Sequence, residues 1–386
     1  MDNGKFVQLH ILTSYPASNL NRDDLGRPKT VVMGNTQRLR VSSQSLKRAW
    51  RISDVFREAL GGALGARTKE LGVAVFCALT QGATLAEALQ DKAAAGGLPR
   101  LKEKPALAVA RAIAGVFGKI KPEAGKKAKA KKGGEAEDAE AGRKALLESA
   151  EIEQMAYLSP AEIAAAAALV EQGRASGKEP ADDALSLLRK DALAADMAMF
   201  GRMVAARPEF NVEAAVQVAH AMTVHTVAVE DDFFTAVDDL NKEDVGAGHM
   251  GVAEFGAGLY YLYLCIDRDL LRENLGGDAD LAGRALRALA RAACTVSPSG
   301  KQSSYASRSA ASYCLAEKGA DQPRTLSSAF LDGLDRPGGL LARAVETLEQ
   351  TKKNMDAAYE QKFAAYVFHP ARGQGGISGL LDFVAG

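Results

Sequence analysis

The order of strand-like and helix-like segments along the chain is the feature that most limits its fold. Residues 6–13 alternate around the apolar Val7, Leu9 and Ile11, which predicts a half-buried strand. A helix is predicted over 43–60. A segment at 214–229 begins helical and turns strand-like, a Gly-containing hairpin follows, and residues 278–293 predict another helix. A closing strand is expected within 294–317. This order predicts an α+β chain with a ferredoxin-like core that carries two insertions.

Composition narrows the class of protein. The chain has 386 residues, of which 47% are hydrophobic and 25% charged, the mix of a soluble globular protein. It has no run of about 18 apolar residues and no secretory-signal pattern at its start, so we expect a cytoplasmic protein with no membrane segment. Its four cysteines lie far apart and predict neither disulfides nor a zinc site. No Walker A, GxGxxG, GxSxG or HExxH motif is present, and no cofactor is expected.

The charges balance overall but are distributed unevenly. Lys and Arg total 48, as do Asp and Glu, yet residues 22–51 hold eight basic residues and two acidic ones. Residues 119–132 hold seven lysines within a low-complexity segment, 119–143, for which we expect a surface loop. Residues 230–244 hold seven acidic residues. Such runs are either solvated faces or surfaces that attract partners of opposite charge.

A stripe of polar and basic residues shares one face of the first predicted helix. Gln44, Lys47, Arg48 and Arg51 stand at positions i, i+3, i+4 and i+7. The like charges of Lys47 and Arg51 weaken an isolated helix unless an anion lies along it, and N–H groups at a helix start bind phosphate. The stripe alone also fits a solvated surface helix, but the residues around it favour a track for a polyanion. These are Arg22, Arg27, Lys29, Arg38 and Arg40, with Ser42, Ser43 and Ser45 at the helix start.

The motifs of the amino-terminal part resemble a known family. LHILTSYPASNLNRDDLGRPKTVVMG and RLRVSSQSLKRAWR are similar to the CasC family, the backbone subunit of the type I-E CRISPR surveillance complex Cascade. Four later segments resemble the same family in the same order: GRM at 201–203, HAMTVHTVAVEDDFFTAVDDL at 220–240, GHMGVAEF at 248–255 and ENLGG at 273–277. The similarity is weak in the helical middle of the chain and at its carboxyl end.

The resemblance implies a three-part architecture. A modified RNA-recognition-motif palm carries a helical fingers insertion and a β-hairpin thumb. On this chain the palm would comprise residues 1–60, 194–225 and 255–386, the fingers 61–193 with their loop at 119–143, and the thumb 226–254.

The resemblance also implies an RNA-binding subunit without catalytic activity. Several copies would stack along one CRISPR guide RNA, and each thumb would displace a guide nucleotide at regular intervals. The bases between the kinks would pair with the target DNA strand, so that the protein holds the backbone by charge while base pairing reads the sequence. The implied partners are therefore guide RNA, target DNA, further copies of the chain and other Cascade subunits.

Individual RNA contacts follow from the same resemblance. Met203 and Met250 match positions whose apolar side chains wedge beside a kinked base, a contact that suits polarizable methionine; taken alone, each would be an ordinary core residue. Lys301 matches a loop lysine beside the RNA and would otherwise be a solvated lysine. The full set of expected RNA-binding residues is Arg22, Lys29, Arg40, Ser42, Gln44, Lys47, Arg48, Arg51, Arg202, Met203, His249, Met250 and Lys301.

Two other functions stay open. Acidic residues in and near the hairpin could hold Mg²⁺ in a metal-dependent ribonuclease, although carboxylates on one hairpin do not converge from several elements. A stand-alone protein that binds single-stranded RNA is the second alternative. The lysines of 126–132 fit either a grip on target duplex DNA or a disordered loop. The acidic candidates are Asp231, Asp232, Asp238, Asp239, Glu243 and Asp244.

Overall fold

A computed structural model describes residues 4–122, 135–190, 193–237, 249–335 and 337–386. Its strands are β1 (Phe6–Ser18), β2 (Thr30–Met33), β3 (Thr36–Val41), β4 (Ala66–Thr68), β5 (Ala156–Leu158), β6 (Val216–Val218), β7 (Ala221–Thr223), β8 (Glu230–Ala236), β9 (His249–Asp267), β10 (Tyr313–Gly319) and β11 (Ala364–Phe368). Its α-helices are α1 (Ser43–Arg51), α2 (Asp54–Leu60), α3 (Leu71–Gln81), α4 (Leu85–Gln90), α5 (Glu103–Gly115), α6 (Glu135–Glu148), α7 (Pro160–Ser176), α8 (Ala195–Phe200), α9 (Arg268–Asn274), α10 (Ala279–Thr295), α11 (Gln302–Tyr305), α12 (Leu340–Ala358) and α13 (Ile377–Ala385).

The chain forms two compact units. The sheet unit consists of Met1–Gly61, Ala215–Arg272 and Asp278–Gly386, and the helical unit consists of Gly62–Ala214 and Glu273–Gly277. Among the described residues, no helix has both the length and the apolar character needed to cross a membrane.

Strand β1 lies inside the large sheet, antiparallel to β9 on one side and to β10 on the other. The strand order is β11-β10-β1-β9-β7-β3-β2, and β6 also pairs with β9. Along the chain, β1 is followed by α1 and α2, then by β6 and β7, then by β9, α10 and β10. This is the order and pairing of a ferredoxin-like fold, so the predicted α+β class with an antiparallel sheet is confirmed.

Both faces of β1 are buried, although the sequence predicts a half-buried strand. Leu12 packs with Leu348 of α12 in one apolar cluster. Because successive side chains of a strand point to opposite faces, Val7, Leu9 and Ile11 lie on the other side, where α10 packs on the strand. Helix α12, from the carboxyl-terminal part of the chain, therefore covers a face of the sheet that the local pattern leaves exposed.

Helices α3, α5 and α7 form the centre of the helical unit, where residues such as Val75 and Ile113 are fully buried. Arg174 of α7 is also buried. Its guanidinium donates hydrogen bonds to the carbonyl oxygens of Ala83 and Pro99, at 2.7 and 2.8 Å. These bonds satisfy a buried cation and join the end of α7 to the segments that follow α3 and precede α5.

The structure differs from two local predictions in the sheet unit. The helix expected over 43–60 is two helices, because the Ser53 hydroxyl accepts a hydrogen bond from the Phe56 N–H at 3.3 Å and starts α2 afresh. The segment 214–229 has no helical start. Its residues Val216 and Val218 pair with β9, and tertiary pairing outweighs the helical preference of the neighbouring alanines.

Both described ends of the low-complexity segment 119–143 are structured, where the sequence predicts a surface loop. Lys119 and Lys121 form ion pairs with Glu153 and Glu151, at 3.0 and 2.7 Å, and α6 already begins at Glu135. The Ala- and Glu-rich composition of α6 explains its helical state. The lysines of 126–132 lie outside the described residues.

Candidate nucleic-acid interface

A compact loop, residues 19–29, connects β1 to β2 beside the start of α1. Asp23 organises it, since its Oδ1 accepts hydrogen bonds from the N–H groups two and four residues on, at 3.0 and 2.9 Å. The Arg27 guanidinium pairs with Glu254 of β9 at 2.9 Å. The loop is thus braced internally and fixed to the sheet, and it presents Arg22 as an exposed cation.

Helix α1 is fixed to this loop at its first turn. The Ser42 N–H donates to Asn21 Oδ1 at 2.9 Å, and the Ser42 hydroxyl accepts from the Ser45 N–H at 3.4 Å. Ser42 is buried, so its hydroxyl caps the helix rather than facing solvent. Ser42 therefore has a structural role in placing the helix start, and its contact with RNA stays a prediction.

The polar stripe of α1 faces away from the core because Leu46 and Trp50 anchor the opposite side of the helix. Gln44 and Arg48 are exposed. The other two members of the stripe, Lys47 and Arg51, are half-buried, and each takes part in an interaction within the protein.

A cleft of about 450 Å³ opens between the 19–29 loop, α1 and the 299–300 turn. Gly300 allows the turn to come close, since a Cβ at this position would lie 2.6 Å from the Leu20 carbonyl oxygen. The side chains that line the cleft include two arginines, one carboxylate beyond Asp23, and two hydroxyls. They are Arg22, Arg48, Asp24, Ser45 and Ser299.

Three cations at this cleft have no anionic partner in the part of the chain that the structure describes. Within the described ranges of the chain, no hydrogen bond or ion pair occupies the charged groups of Arg22, Arg48 or Lys301. Lys301 follows Gly300 directly and has a left-handed backbone, with φ of 47°. The arrangement offers positive charge to an anionic chain at low cost, because no internal ion pair has to be broken first.

A second cationic group forms along the edge of the sheet unit. The Arg40 guanidinium donates to Nδ1 of His220 at 2.6 Å, and Lys29 lies near enough to act on the same ring. Partial burial, followed by the positive charges of Arg40 and Lys29, lowers the pKa of His220. The ring is therefore neutral at pH 7 and can accept the hydrogen bond that orients Arg40.

Arg202 has a structural role in the helical unit, and the RNA contact that the resemblance implies for it stays a prediction. It is buried in the helical unit, where its Nη1 pairs with the buried Glu162 at 2.6 Å and its Nη2 donates to the Arg189 carbonyl oxygen at 2.6 Å. Three of the five N–H groups of this guanidinium are thus engaged inside the protein. The next residue, Met203, is 76% exposed, so Arg202 fixes the turn that presents this methionine to solvent.

Strands β8 and β9 form an antiparallel hairpin that extends beyond the sheet. Phe233 pairs with Val252 and Thr235 with Met250, so these four side chains share one face of the hairpin. Phe233 and Met250 are 64% and 63% exposed. The hairpin thus carries an exposed apolar strip, defined here as Phe233, Met250 and Val252, as a wedge beside bases would require.

The opposite face of the hairpin has a different construction. The ring of Phe234 lies over Gly251, where a Cβ would meet the ring at 2.5 Å. Asp231 and Asp232 occupy successive positions of β8 and so point to opposite faces. The side chain of His249 and the acidic residues Asp238, Asp239, Glu243 and Asp244 lie outside the described residues.

Metal ligation finds no support in the part of the chain that the structure describes. There, no group of three or more His, Cys, Asp or Glu side chains is arranged to hold a metal ion. The two described members of the acidic candidate set, Asp231 and Asp232, diverge from each other.

Comparison with known proteins adds the family. The family model described as "CT1975-like protein" matches residues 7–375 of the chain. The chain belongs to the CT1975-like protein family. No curated protein sequence matches it.

Two solved structures show where similar chains are found. A chain of a "CRISPR RNA-guided surveillance complex, pre-nicking" has a TM-score of 0.74 and 30% sequence identity, over 98% of this chain and 99% of that one. A chain of a "CRISPR RNA-guided surveillance complex" has a TM-score of 0.57 and 25% identity, over 98% of each chain. The likeness to subunits of CRISPR surveillance complexes is confirmed, while the narrower assignment to CasC and to type I-E stays a prediction.

Two residues of the site escape the sequence analysis. His220 carries no local signal, because only the pairing of β3 with β7 brings it to Arg40. Asp24 carries none either, because the sequence shows it only as one of two acidic residues in a basic segment. The NRDD segment, which is part of the family resemblance, contains two aspartates, Asp23 and Asp24. Only the structure shows that Asp23 accepts the N–H groups of the turn and that Asp24 does not.

Proposed function

We propose that this chain is a non-catalytic, RNA-binding backbone subunit of a type I-E Cascade complex. In this proposal several copies assemble along a CRISPR guide RNA. Their hairpins kink the guide at intervals, and the bases between the kinks pair with a target DNA strand. Other Cascade subunits would be its further partners.

The observation that carries the proposal is the cleft beside α1. Arg22 and Arg48 line it without anionic partners among the described residues, and Lys301 stands next to its wall. An open, mostly polar cleft with unpaired cations fits a sugar-phosphate backbone better than a small apolar ligand. The charge of a backbone is the same for every base, so such a cleft binds guides of any sequence.

The apolar strip of the hairpin supports the second part of the proposal. Phe233, Met250 and Val252 are exposed on one face of a two-stranded ribbon that has no apolar cover among the described residues. Apolar side chains inserted between bases unstack them and kink the strand. Similar chains in complexes named as RNA-guided give the proposal its setting.

Removal of the cleft arginines tests the RNA-binding proposal. We expect Arg22→Ala and Arg48→Ala each to weaken binding of single-stranded RNA of any sequence. Each should reduce the slope of log affinity against log salt by about 0.7, the value for one lost phosphate contact on a single strand. Filter binding or fluorescence anisotropy across a salt series measures both quantities.

The control for this experiment is Lys353→Ala, which removes an exposed cation from α12 rather than from the cleft. It should leave the slope unchanged. Slopes of Arg22→Ala and Arg48→Ala that equal the wild-type slope in folded proteins would contradict the proposal.

Polar replacement of the apolar strip tests the role of the hairpin. We expect Phe233→Ser with Met250→Ser to leave binding of a short RNA within about threefold of wild type, because the cleft cations supply most of the affinity. Regular assembly on a long guide RNA should fail, because an unkinked guide lacks the repeat that each copy needs. Electron microscopy and mass photometry of the assemblies provide the readout.

The matched control is Val32→Ser, at an exposed apolar position of β2 outside the strip. Assemblies of normal length and spacing from the double variant would count against a wedge function. RNA cleavage that a chelator abolishes would instead favour the ribonuclease alternative.

A further inference from the structure

We propose that Asp24 reads the ribose 2′-hydroxyl of the bound strand and so makes the cleft selective for RNA over DNA. The inference rests on the proposed function, because it concerns the same cleft. It goes beyond that function by naming the group that distinguishes the two nucleic acids.

Asp24 occupies a fixed position on the cleft wall. It lies at the tip of the turn that Asp23 braces, where the Gly26 N–H donates to the Asp23 carbonyl oxygen at 3.3 Å and the Asp23 N–H to the Arg27 carbonyl oxygen at 2.9 Å. The Asn19 side chain also donates to the Gly26 carbonyl oxygen, at 3.0 Å. The turn is therefore held before any ligand arrives.

The two neighbouring aspartates differ in what their carboxylates do. Asp23 accepts two backbone N–H groups and is committed to the turn. Asp24 is exposed, and its carboxylate takes part in no hydrogen bond or ion pair among the described residues. It therefore keeps its full capacity to accept hydrogen bonds from a ligand in the cleft.

A carboxylate in a phosphate-binding cleft is unfavourable unless it finds a donor. It repels phosphate and offsets part of the attraction of Arg22 and Arg48, which line the same cleft. A phosphodiester has no hydrogen to donate, whereas a ribose carries one donor per nucleotide in its 2′-hydroxyl, and a deoxyribose carries none. The 2′-hydroxyl is the group by which proteins distinguish RNA from DNA.

The rest of the cleft supplies the complementary groups. The hydroxyls of Ser45 and Ser299 line it and make no hydrogen bond within the described residues, so they can donate to phosphate oxygens beside the arginines. Asp24 is then the acceptor in a set of donors. An RNA strand has the matching pattern, because its phosphates accept hydrogen bonds and the ribose 2′-hydroxyls between them donate.

The test compares the affinity of the full chain for short single strands that differ only at the 2′ position. The probes are oligo(U), oligo(A) and oligo(C), each as RNA, as the deoxyribonucleotide of the same base, and as 2′-O-methyl RNA, at one fixed salt concentration. The wild type should prefer RNA to both other forms. Asp24→Ala should reduce the ratio of RNA to DNA affinity by about tenfold, which is near the lower limit for the loss of one hydrogen bond to a charged group.

The inference predicts the direction in which each variant changes the affinities for RNA and DNA. Asp24→Ala should weaken RNA binding and leave DNA binding equal or tighter, because the repulsion disappears together with the acceptor. Asp24→Asn keeps a carbonyl acceptor and should retain part of the preference. Glu346→Ala, at an exposed carboxylate on α12, is the matched control and should change neither affinity.

Three results would overturn the inference. In the first, Asp24→Ala shifts RNA and DNA affinities by the same factor, which indicates charge or loop structure alone. In the second, its effect appears with only one base, which indicates contact with a base edge. In the third, the wild type binds RNA and DNA equally, which removes the selectivity but leaves the proposed function standing, since that function fails only if the wild type binds no RNA through the cleft cations.

Discussion

Replacement of Glu162 by alanine is expected to lower the free energy of unfolding of the helical unit by about 3–5 kcal/mol, the usual cost of removing one partner from a buried ion pair. The Glu162 Oε1 lies 2.6 Å from Nη1 of Arg202 and also accepts the Arg189 N–H at 2.9 Å. Its Oε2 accepts the Ser159 N–H at 2.8 Å, which completes the cap of α7. The variant would remove the anionic partner of the buried Arg202, which keeps only carbonyl acceptors, and would leave the Ser159 and Arg189 N–H groups without their carboxylate acceptor.

Urea unfolding followed by circular dichroism measures this loss. Glu171→Ala is a close control, because Glu171 also lies on α7 and also pairs with an arginine, Arg174, at 2.9 Å. Glu171 is exposed, and Arg174 keeps its carbonyl acceptors, so the control should cost less than about 1 kcal/mol. Equal stabilities of Glu162→Ala and Glu171→Ala would contradict the prediction.

The same ion pair shows why some functional residues resist prediction from sequence. The GRM motif at 201–203 marks a turn for which RNA contacts are predicted, but the partner of Arg202, Glu162, lies forty positions away on α7. No local pattern distinguishes this buried arginine from the exposed Arg48. Only the tertiary contact shows that Arg202 supports the turn while Met203 meets solvent.

Features with local causes were accessible to prediction. The start of α1 follows from a capping serine, and the outward stripe follows from helical spacing over nine residues. The hairpin strands β8 and β9 follow from β-forming residues on each side of a polar segment. The burial of the second face of β1 was not accessible, since it depends on α12, more than 300 residues later.

A buried polar network beneath α12 leads to the second large effect. His10 and Glu317 are both fully buried on neighbouring strands, with Nε2 and Oε2 3.0 Å apart. Because the ionised Glu317 carboxylate can only accept, Nε2 of His10 donates to it, and Nδ1 of the neutral ring accepts from the Tyr261 hydroxyl at 2.9 Å. Arg324 pairs with Glu317 at 2.7 Å and with Asp356 of α12 at 2.5 Å.

We expect Glu317→Ala to lower the free energy of unfolding of the sheet unit by about 3–5 kcal/mol, because the carboxylate is the shared acceptor of His10 and Arg324 inside the protein. Asp356 still holds Arg324, so the loss should lie towards the lower end of that range. The exposed Glu346 of α12 gives the control, Glu346→Ala, which should change stability by less than about 0.5 kcal/mol.

The network also predicts how stability depends on pH. Burial acts to raise the pKa of Glu317, but hydrogen bonds and positive charge from His10 and Arg324 outweigh it and hold the pKa at about 2, below the usual 4.5. The unfolded chain therefore takes up this proton first, so the contribution of Glu317 is complete above about pH 4.5 and is lost as the pH falls towards 2. Burial lowers the pKa of His10 from 6.5, so its contribution begins to fall below about pH 6.5.

Urea unfolding at pH 7, 5 and 3 separates these contributions. The wild type should lose stability at each step, and Glu317→Gln should lose less than the wild type between pH 5 and 3, because the titrating carboxylate is gone while the side-chain shape is kept. The step from pH 7 to 5, to which His10 contributes, should persist in the variant. An unchanged loss between pH 5 and 3 would mean that acid destabilises the fold through groups other than Glu317.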